Sequence, residues 1–598
     1  RTVTHAFATR RGDLLAVAGA ETGKILAEGD VEVSEAIDFA AWYVDRAEEL
    51  EGVDGAQFVP PRVTVVTPPW NFALSITAGS TLAALAAGSS VLLKPAPQAR
   101  HCAAVISECL WEAGIPRDVL QLVDVEENEA GKHLVSHPEV DRVILTGAWE
   151  TAKLFRSWRH DLPVLAETSG KNSIIVTENA DYDLAAADII KSAFGNAGQK
   201  CSAASLIILV GQAYRSQRLR HQILDAASSI RVGSPSDLRS QMGPLAEPAS
   251  GKLLDGLTKL DPGQEWALEP VRIDEEGRYW SPGVRSGIKP GDPYHLTEYF
   301  GPITGIMYAP DLATAIAYQN GTAFGLTAGL HSLDPAEIEF WAERANAGNL
   351  YVNRSITGAI VGRQPFGGWK RSAVGPGAKA GGYHYLQVLG TWRRAEVSAP
   401  TPADRPCALV EQFVGHIEGL VTRDERAWLL DAVARDAREW DEWFGRSIDV
   451  GGLEKERNIL RYRPASTQVR GCADAKLVDV ARVVAAGLLA AGDNISVCLD
   501  PSLGEGLGRA LRSVGVAVTT ASDEDWYASL GASRVRLVGG NPSRAADEAD
   551  GDPDLALWAN EVTSAPQVEL LPFLREQSVS MTAHRFGNPD AGVLSVRL

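Results

Sequence analysis

The pattern of apolar and polar positions along the chain predicts an α/β protein. Apolar residues recur at helical spacing from Glu21 to Leu50, which predicts one long amphipathic helix. From Arg62 onwards, short β-branched runs alternate with helical stretches such as Ala99–Ala113. The predicted strands are Arg62–Thr67, Ser90–Leu93, Val119–Val123 and Arg142–Thr146. Strands that alternate with helices indicate a parallel sheet, and ligands bind such sheets beyond the carboxyl ends of the strands.

The alternation continues towards the C-terminus. A second α/β stretch covers roughly Glu167 to Gly375, and the Pro- and Ala-rich segment Ser398–Asp404 predicts a linker. A helical region from about Cys407 to Trp443 follows. A third α/β stretch contains predicted strands at Ile495–Leu499, Val516–Thr520 and Arg534–Val538. Because 598 residues are too many for one hydrophobic core, we expect several domains.

Composition excludes several classes of protein. The net charge of −19 disfavours nucleic acid and anionic membranes as partners. Six scattered cysteines without a C-x-x-C pair are too few for a disulfide framework and indicate free thiols in a reducing cytoplasm. No uninterrupted apolar run reaches the roughly 18 residues that span a bilayer, and the first residues do not form a signal peptide. Because the first residue is Arg1 and not Met, we expect a processed chain or a fragment.

Polar residues that could take part in catalysis or ligand binding follow several predicted strands. The Asn71 amide could donate a hydrogen bond to an oxyanion, although an Asn at such a place is more often a turn residue. Lys94 ends a strand and could reach ribose hydroxyls or phosphate; a solvated lysine is an equal alternative. Thr146 and Gly147 precede a predicted helix, whose first N–H groups could hold a pyrophosphate.

One cysteine has an unusual setting. Cys201 lies in Gly198-Gln199-Lys200-Cys201-Ser202, 34 residues after Glu167, whereas a core cysteine sits among aliphatic residues. Lys200 is expected to lower the pKa of its thiol. Cys102, Cys109 and Cys498 lie in apolar patterns and predict packing.

The order and spacing of seven motifs resemble the aldehyde dehydrogenase superfamily over about residues 1–395. The motifs are Pro68–Phe72, Val91–Pro97, Ile144–Ala148, Glu167–Asn172, Gly198–Ser202, Glu298–Pro302 and Asn353–Gly368. Within this superfamily, the chain resembles the glutamate-γ-semialdehyde dehydrogenases, also called Δ1-pyrroline-5-carboxylate dehydrogenases. The segments that carry this resemblance are Gly198–Ala203, Thr357–Gly368 and Gly375–Gly382. The tail resembles the C-terminal domain of bifunctional proline-utilisation flavoenzymes in Glu456–Pro464, Glu569–Gln577 and Thr582–Gly587.

This resemblance implies an aldehyde dehydrogenase fold, a Rossmann-like NAD domain with an α/β catalytic domain, followed by a non-catalytic domain of related α/β fold. The implied boundaries are 1–167 with a shortened N-terminal edge, 168–371, a bridging and oligomerisation segment with the linker at 372–404, and 405–598. A small-molecule substrate, a homodimer or higher homo-oligomer, and a cytoplasmic location are implied. The proline dehydrogenase barrel is absent from this chain, so the chain is either a fragment of a bifunctional protein or works with a separate proline dehydrogenase. No nucleic-acid, membrane or metal site is expected.

The resemblance also assigns roles. Cys201 would be the nucleophile, Glu167 the general base, which is expected to move between steps, and Asn71 an oxyanion donor together with the Cys201 N–H. The implied NAD-binding residues are Lys94, Thr146, Gly147, Glu298, which orients the ribose, and Phe300, which packs beside the nicotinamide. The implied substrate-binding residues are Phe72, Ser202, Gly358, Ala359 and Phe366. Core packing is the alternative role for the two phenylalanines.

Some positions depart from the family pattern. Ala148 stands where the family has Ser, Ala152 where it has Gly, and Pro97 where a Glu often binds the adenosine ribose. The preference for NAD over NADP therefore depends on the resemblance alone. In the tail, Gly504–Gly508 has the spacing G-x-G-x-G, and Glu505 would repel a pyrophosphate, so no nucleotide site is predicted there.

The expected reaction is NAD-dependent oxidation of glutamate γ-semialdehyde to glutamate, the second step of proline catabolism. One alternative is another ω-carboxyl aldehyde such as succinate semialdehyde, which would require dedicated basic side chains. Another is an inactive assembly or channelling module, which the presence of Cys201, Glu167 and Asn71 disfavours.

Overall fold

The computed structural model describes residues 1–397, 406–531, 533–585 and 587–598. The predicted linker Ser398–Asp404 lies outside these residues, as does Phe586 of the Thr582–Gly587 motif. The α/β fold class is confirmed, because parallel strands alternate with helices along most of the chain. In the described residues, no helix is both long enough and apolar enough to cross a bilayer.

The N-terminal part starts with helices and then alternates strand and helix. Its elements are α1 Thr2–Thr9, α2 Arg11–Thr22, α3 Leu26–Glu51, β1 Ala56–Val59, β2 Val63–Thr67, α4 Ser75–Ala86, β3 Ser90–Leu93, α5 Arg100–Glu112, β4 Leu120–Leu122, α6 Glu129–Ser136, β5 Arg142–Thr146, α7 Trp149–Trp158 and β6 Val164–Glu167. The helix predicted from Glu21 is wrong at its start. Gly23 ends α2 in the left-handed conformation, with φ 74°, and α3 begins only at Leu26.

The middle part contains β7 Asn172–Val176, α8 Tyr182–Phe194, β8 Ala204–Val210, α9 Gln212–Arg215, α10 Gln217–Ser228, α11 Gly251–Thr258, β9 Glu265–Leu268, β10 Gly283–Ile288, α12 Pro293–Leu296, β11 Ile303–Ala309, α13 Leu312–Asn320, β12 Phe324–Gly325, β13 Thr327–His331, α14 Pro335–Arg344, β14 Asn349–Val352, β15 Trp369–Lys370, β16 Ala373–Val374 and β17 Thr391–Arg394. The predicted cysteine packing is observed in the N-terminal part and in the tail, because Cys102 and Cys109 in α5 and Cys498 in the tail are buried in hydrophobic clusters.

The tail contains α15 Ala408–Ile417, α16 Arg423–Glu439, β18 Ile448–Asp449, β19 Glu456–Pro464, β20 Thr467–Gly471, α17 Leu477–Ala491, β21 Ile495–Leu499, α18 Glu505–Ser513, β22 Ala517–Thr520, α19 Asp523–Ala528, β23 Arg534–Val538, α20 Pro542–Glu548, β24 Ala556–Trp558, α21 Pro566–Glu569, β25 Leu574–Thr582, β26 His584–Arg585, β27 Asn588–Pro589 and α22 Ala591–Leu594.

Three main sheets organise the described residues. The N-terminal sheet has the order β16-β6-β5-β2-β3-β4 and is parallel except for β16. The central sheet has the order β18-β19-β25-β14-β13-β7-β8-β11-β10-β9. The tail sheet is parallel and runs β22-β21-β20-β23-β24. The carboxyl ends of the N-terminal strands are where the sequence placed its candidate chemistry.

The tail is joined to the central sheet. Strand β25 pairs in parallel with β14 and in antiparallel with β19. Tail strands therefore complete the sheet that also contains β7 and β8, which flank the Cys201 loop. The predicted domain boundaries remain a prediction. The central sheet crosses the boundary predicted at residue 405, because it contains strands from both sides of that residue.

Candidate active site

Cys201 lies on the loop that precedes β8, and its neighbours hold this loop in a strained conformation. The Asn172 side-chain amide donates a hydrogen bond to the main-chain oxygen of Cys201 at 2.7 Å. Gly170 approaches so closely that a Cβ there would lie 2.4 Å from the same oxygen. Asn196 and Ala197 both have φ 54°, in the left-handed region that non-glycine residues rarely adopt. Such strain persists only where surrounding contacts fix the backbone, as at many functional sites.

Two cavities meet at Cys201 and Glu167 in the described part of the chain. The strand-end cavity, about 420 Å³, lies beyond the carboxyl ends of the N-terminal sheet. The helix cavity, about 100 Å³, lies between α3, α4 and the loop after β14. Cys201, Glu167, Thr146 and Phe366 line both. A molecule in either cavity can therefore reach the thiol and the carboxyl group.

The structure brings all the predicted site residues to these cavities. The strand-end cavity is also lined by Asn71, Lys94, Gly147, Glu298 and Phe300. The helix cavity is also lined by Phe72, Ser202, Gly358 and Ala359. No group of three or more His, Cys, Asp or Glu residues in the described chain could hold a metal ion.

Asn71 is fixed in the loop between β2 and α4. Its Nδ2 donates to the main-chain oxygen of Gln199 at 3.1 Å, and its own main-chain oxygen accepts from Lys24 Nζ at 2.8 Å. Because an amide nitrogen carries two hydrogens, one N–H of Asn71 remains for an oxygen bound at Cys201. Lys24 in turn forms a buried ion pair with Glu32. Sequence reasoning missed this pair, since no local motif links either residue to Asn71.

Glu167 ends β6 in a setting that favours its neutral form. Burial is the main cause that raises the pKa of this carboxyl group to about 8; the Lys379 ammonium and the Ala380 N–H oppose this rise, and the charge of Glu35 adds to it. A carboxyl group with a pKa near neutrality can both accept and return a proton at physiological pH. Sequence reasoning missed Lys379, although a single lysine within the Gly- and Ala-rich stretch Gly375–Gly382 is a usable signal.

The pKa of the Cys201 thiol is raised, whereas the sequence predicted a lowered value. Burial raises its pKa well above the usual range, and the negative charges of Glu167 and Glu298 raise it further. The prediction that Lys200 lowers this pKa is wrong. Lys200 Nζ forms an ion pair with Glu28 at 2.6 Å, which neutralises the ammonium locally. The thiol therefore needs a positive charge or a base to ionise.

The strand-end cavity offers a cation and a ring surface. Lys94 Nζ, largely buried, lies 3.3 Å from Glu127 Oε1. Glu298 Oε1 accepts a hydrogen bond from the Gly170 N–H at 2.9 Å. The Phe300 ring meets the Trp70 ring edge-on, with 5.6 Å between centroids. These groups suit a ligand that has anionic, hydroxyl and planar parts.

The start of α7 also borders the strand-end cavity. Gly147 and Ala148 line the cavity, and Ala148 precedes the helix without a side-chain cap. The first N–H groups of a helix lack partners within the helix and favour anions. Among the positions that depart from the family pattern, Pro97 lies on the same wall, whereas Ala152 is fully buried inside α7.

The helix cavity combines aromatic walls with polar ends. The rings of Phe39, Tyr43, Phe72, Phe366 and Tyr385 line it. Tyr351 donates its hydroxyl to the main-chain oxygen of Gly358 at 3.0 Å, which orients the loop that carries Gly358 and Ala359.

A carboxyl group that the sequence did not reveal faces the helix cavity. Glu35 is among its lining residues, and burial, opposed by the Ser75 hydroxyl, raises the pKa of Glu35 to about 7. Lys200 is the one basic side chain in the described lining, and it is paired with Glu28.

Comparisons with known proteins agree with this geometry. A model described as the aldehyde dehydrogenase family matches residues 1–391. A Geobacillus sp. (strain WCH70) protein named 1-pyrroline-5-carboxylate dehydrogenase is 35% identical over 398 residues, which are 63% of this chain and 76% of the relative.

Solved structures are similar as well. Proline Utilization A from Corynebacterium freiburgense matches with a TM-score of 0.85 and 42% identity, covering 98% of this chain. This chain spans 56% of that protein's length. A 1-pyrroline-5-carboxylate dehydrogenase from Thermus with bound NAD matches with a TM-score of 0.61 and 31% identity, over 66% of this chain and 79% of that one.

Proposed function

The chain belongs to the aldehyde dehydrogenase family, and we propose that it oxidises glutamate γ-semialdehyde to glutamate with NAD, the second step of proline catabolism. The observation that carries this proposal is the meeting of the two cavities at Cys201 and Glu167. An aldehyde in the helix cavity and a dinucleotide in the strand-end cavity would face each other across these two residues.

The residues of the strand-end cavity fit NAD. Lys94 would bind the adenosine ribose, the start of α7 the pyrophosphate, and Glu298 the nicotinamide ribose. Phe300 would pack beside the nicotinamide. The Thermus relative with bound NAD supports this choice. When bound, NAD supplies the hydride acceptor and a positive charge near the thiol.

Each reaction step can be assigned to a residue of this chain. The Cys201 thiolate attacks the aldehyde carbon, while the Asn71 amide and the Cys201 N–H hold the developing oxyanion. Loss of hydride from this adduct leaves a thioester on Cys201. Glu167 takes a proton from water, the resulting hydroxide attacks the thioester carbon, and the C–S bond breaks to restore the thiolate. The acid product gives its proton to solvent and leaves as a carboxylate. Because Glu167 is half neutral at a pH of about 8, deacylation should become faster as pH rises towards this value.

The helix cavity fits an amino acid with an aldehyde end. The Gly358 and Ala359 N–H groups and the Ser202 hydroxyl would hold the α-carboxylate, which is costly to bury without donors. The aliphatic chain would lie between Phe72 and Phe366. Glu35 would pair with the α-ammonium group, and that pairing would hold the Glu35 carboxyl group ionised.

Two alternatives are less well supported. Succinate semialdehyde would call for a free basic side chain, and in the described lining of the helix cavity the one cation, Lys200, is paired with Glu28. An inactive assembly module would not need a strained loop that places Cys201 beside Glu167.

For the tail, we propose a non-catalytic role in assembly of a homo-oligomer and in closing the active site. Its strand β25 pairs with β14 of the central sheet. A proline dehydrogenase, either a further domain of a longer protein or a separate chain, is the proposed partner that would supply the substrate.

NADH formation across a panel of aldehydes tests the proposed function. Glutamate γ-semialdehyde should exceed pentanal in kcat/KM by at least about 100-fold, because a site built for polar groups leaves its donors unpaired with an apolar analogue. Succinate semialdehyde, which lacks the ammonium group, should fall between the two. Equal kcat/KM for all three aldehydes would contradict glutamate γ-semialdehyde as the preferred substrate. A lack of NADH formation from every aldehyde would contradict the dehydrogenase activity.

A further inference from the structure

A third cavity lies at the opposite end of the N-terminal sheet from the active site. This rear cavity has a volume of about 590 Å³ and is lined where β5 and β6 begin, by residues 375–393, and by tail residues 542–571. Its volume lies within the roughly 300–1,000 Å³ that is usual for small-molecule sites. Nothing in the proposed reaction uses it.

Two buried cations line the rear cavity without a hydrogen bond or ion pair in the described residues. Arg142, the first residue of β5, is 9% exposed, and Arg156, near the end of α7, is 8% exposed. Within the described residues, neither guanidinium forms a hydrogen bond or an ion pair, and the Nε atom of each is buried without an acceptor. An arginine does not lose its proton in proteins, so each side chain carries a buried charge that has no direct ion pair and is only partly offset by more distant carboxylates, Asp141 for Arg142 and Asp552 and Asp161 for Arg156.

The carboxylates of the rear cavity already have other partners. Asp141 accepts hydrogen bonds from the Arg62 main chain and guanidinium at 2.6 and 3.0 Å. Asp161 accepts one from the Ser543 hydroxyl at 3.0 Å and lies 3.4 Å from Arg159. Glu561 accepts one from the main-chain N–H of Arg394 at 3.0 Å. These contacts leave Arg142 and Arg156 available for a bound anion.

We propose that the rear cavity is a binding site for a small organic anion, whose carboxylate or phosphate group is held by Arg142 and Arg156. A guanidinium presents paired N–H donors that match both groups. The cavity is larger than a bare phosphate needs, and the buried rings of Trp392 and Trp558 line it together with leucine side chains. The ligand therefore has an apolar, preferably planar, body beside its charged group.

Calorimetry on the full chain with saturating NAD and glutamate tests this site, because NAD keeps the probes out of the strand-end cavity and glutamate, the proposed product, keeps them out of the helix cavity. The probes are phenyl phosphate, benzoate, inorganic phosphate and, as a neutral control, benzyl alcohol. The parent should bind phenyl phosphate or benzoate more tightly than inorganic phosphate and should not bind benzyl alcohol. Arg142→Met and Arg156→Met should each weaken binding by at least about tenfold, since each removes charge-assisted hydrogen bonds.

Arg393→Met is the matched control. Arg393 lines the same cavity but is exposed, so solvent screens its charge and affinity should change less than about threefold. Absence of saturable binding by the parent, or equal affinity in all three variants, would overturn the proposal. If the two buried variants do not fold, a crystal of the parent with phenyl phosphate decides: density for the phosphate against Arg142 and Arg156 supports the site, and its absence there contradicts it.

Discussion

The main-chain N–H of Lys379 donates a hydrogen bond to Glu576 Oε2 at 3.1 Å, which joins the glycine-rich loop to strand β25 of the tail. Lys379 Nζ is held by Asn349 Oδ1 at 2.7 Å and by the Gly367 oxygen at 2.6 Å. The charge of Lys379 lowers the pKa of Glu167. A tail strand therefore helps to position the lysine whose charge opposes the rise in the pKa of the proposed general base.

The pH dependence of turnover should move in opposite directions in two variants. Lys379→Met removes the cation that lowers the pKa of Glu167, so this pKa rises and the acid limb of the kcat profile moves to higher pH. Glu35→Gln removes a negative charge that raises the same pKa, so the limb moves to lower pH. Steady-state kcat measured from about pH 6 to 10 gives the position of the acid limb in each variant, because this range spans the pKa values at which general bases operate.

Glu576→Gln tests whether the tail affects the pKa of Glu167 through the charge of Lys379. The Glu576 charge favours the protonated form of Lys379. Without it, Lys379 is less often charged, and the acid limb should move in the same direction as in Lys379→Met, but less far. If the acid limb lies at the same pH in Lys379→Met, in Glu35→Gln and in the parent, Glu167 does not control this limb.

Glu167→Gln should separate acylation from deacylation. The first turnover needs the nucleophile and the oxyanion donors, whereas thioester hydrolysis needs the base. We expect a rapid burst of NADH followed by a stalled steady state, measured by rapid mixing. Equal loss of the burst and of the steady state would argue against this division of roles.

Ser202→Ala should affect the proposed substrate selectively. The hydroxyl is assigned to the α-carboxylate, and a hydrogen bond to a charged group contributes roughly 1.5–3 kcal/mol, or about tenfold or more. KM should therefore rise about tenfold for glutamate γ-semialdehyde and hardly at all for pentanal. A similar change for both aldehydes would point to a general disturbance of the Cys201 loop.

The chain should bind one NAD. Gly504 has φ 79° and precedes α18, but Glu505 occupies the first turn of that helix, where a pyrophosphate would have to bind. Titration calorimetry on the full chain should give one site per chain. A second site that disappears in Gly504→Ala would show that the tail binds a nucleotide.

Strong local patterns allowed several elements to be predicted to the residue. Strands such as Ser90–Leu93, Arg142–Thr146 and Arg534–Val538 are short β-branched runs with clear boundaries, and the structure has them at those limits. The start of α3 was not predictable from apolar spacing, because the interruption depends on the left-handed conformation of Gly23. The pairing of β25 with β14 joins segments more than two hundred residues apart, which no local pattern specifies.

The candidate site divides in the same way. Motifs singled out Cys201, Glu167 and Asn71, and the structure places all three on one cavity wall, because each ends, follows or precedes a strand of a parallel sheet. Their catalytic roles stay a prediction. The electrostatic partners Glu35 and Lys379 were missed, since their importance depends on burial and distance.

The central claim is that Cys201 is the covalent nucleophile of an NAD-dependent aldehyde oxidation. The most direct measurement is NADH formation from glutamate γ-semialdehyde by the parent and by Cys201→Ala, with NAD affinity determined in parallel. The account predicts that Cys201→Ala loses at least about a thousandfold in kcat while its NAD affinity stays within about threefold of the parent. A Cys201→Ala protein that keeps more than about 1% of the parental kcat would contradict it.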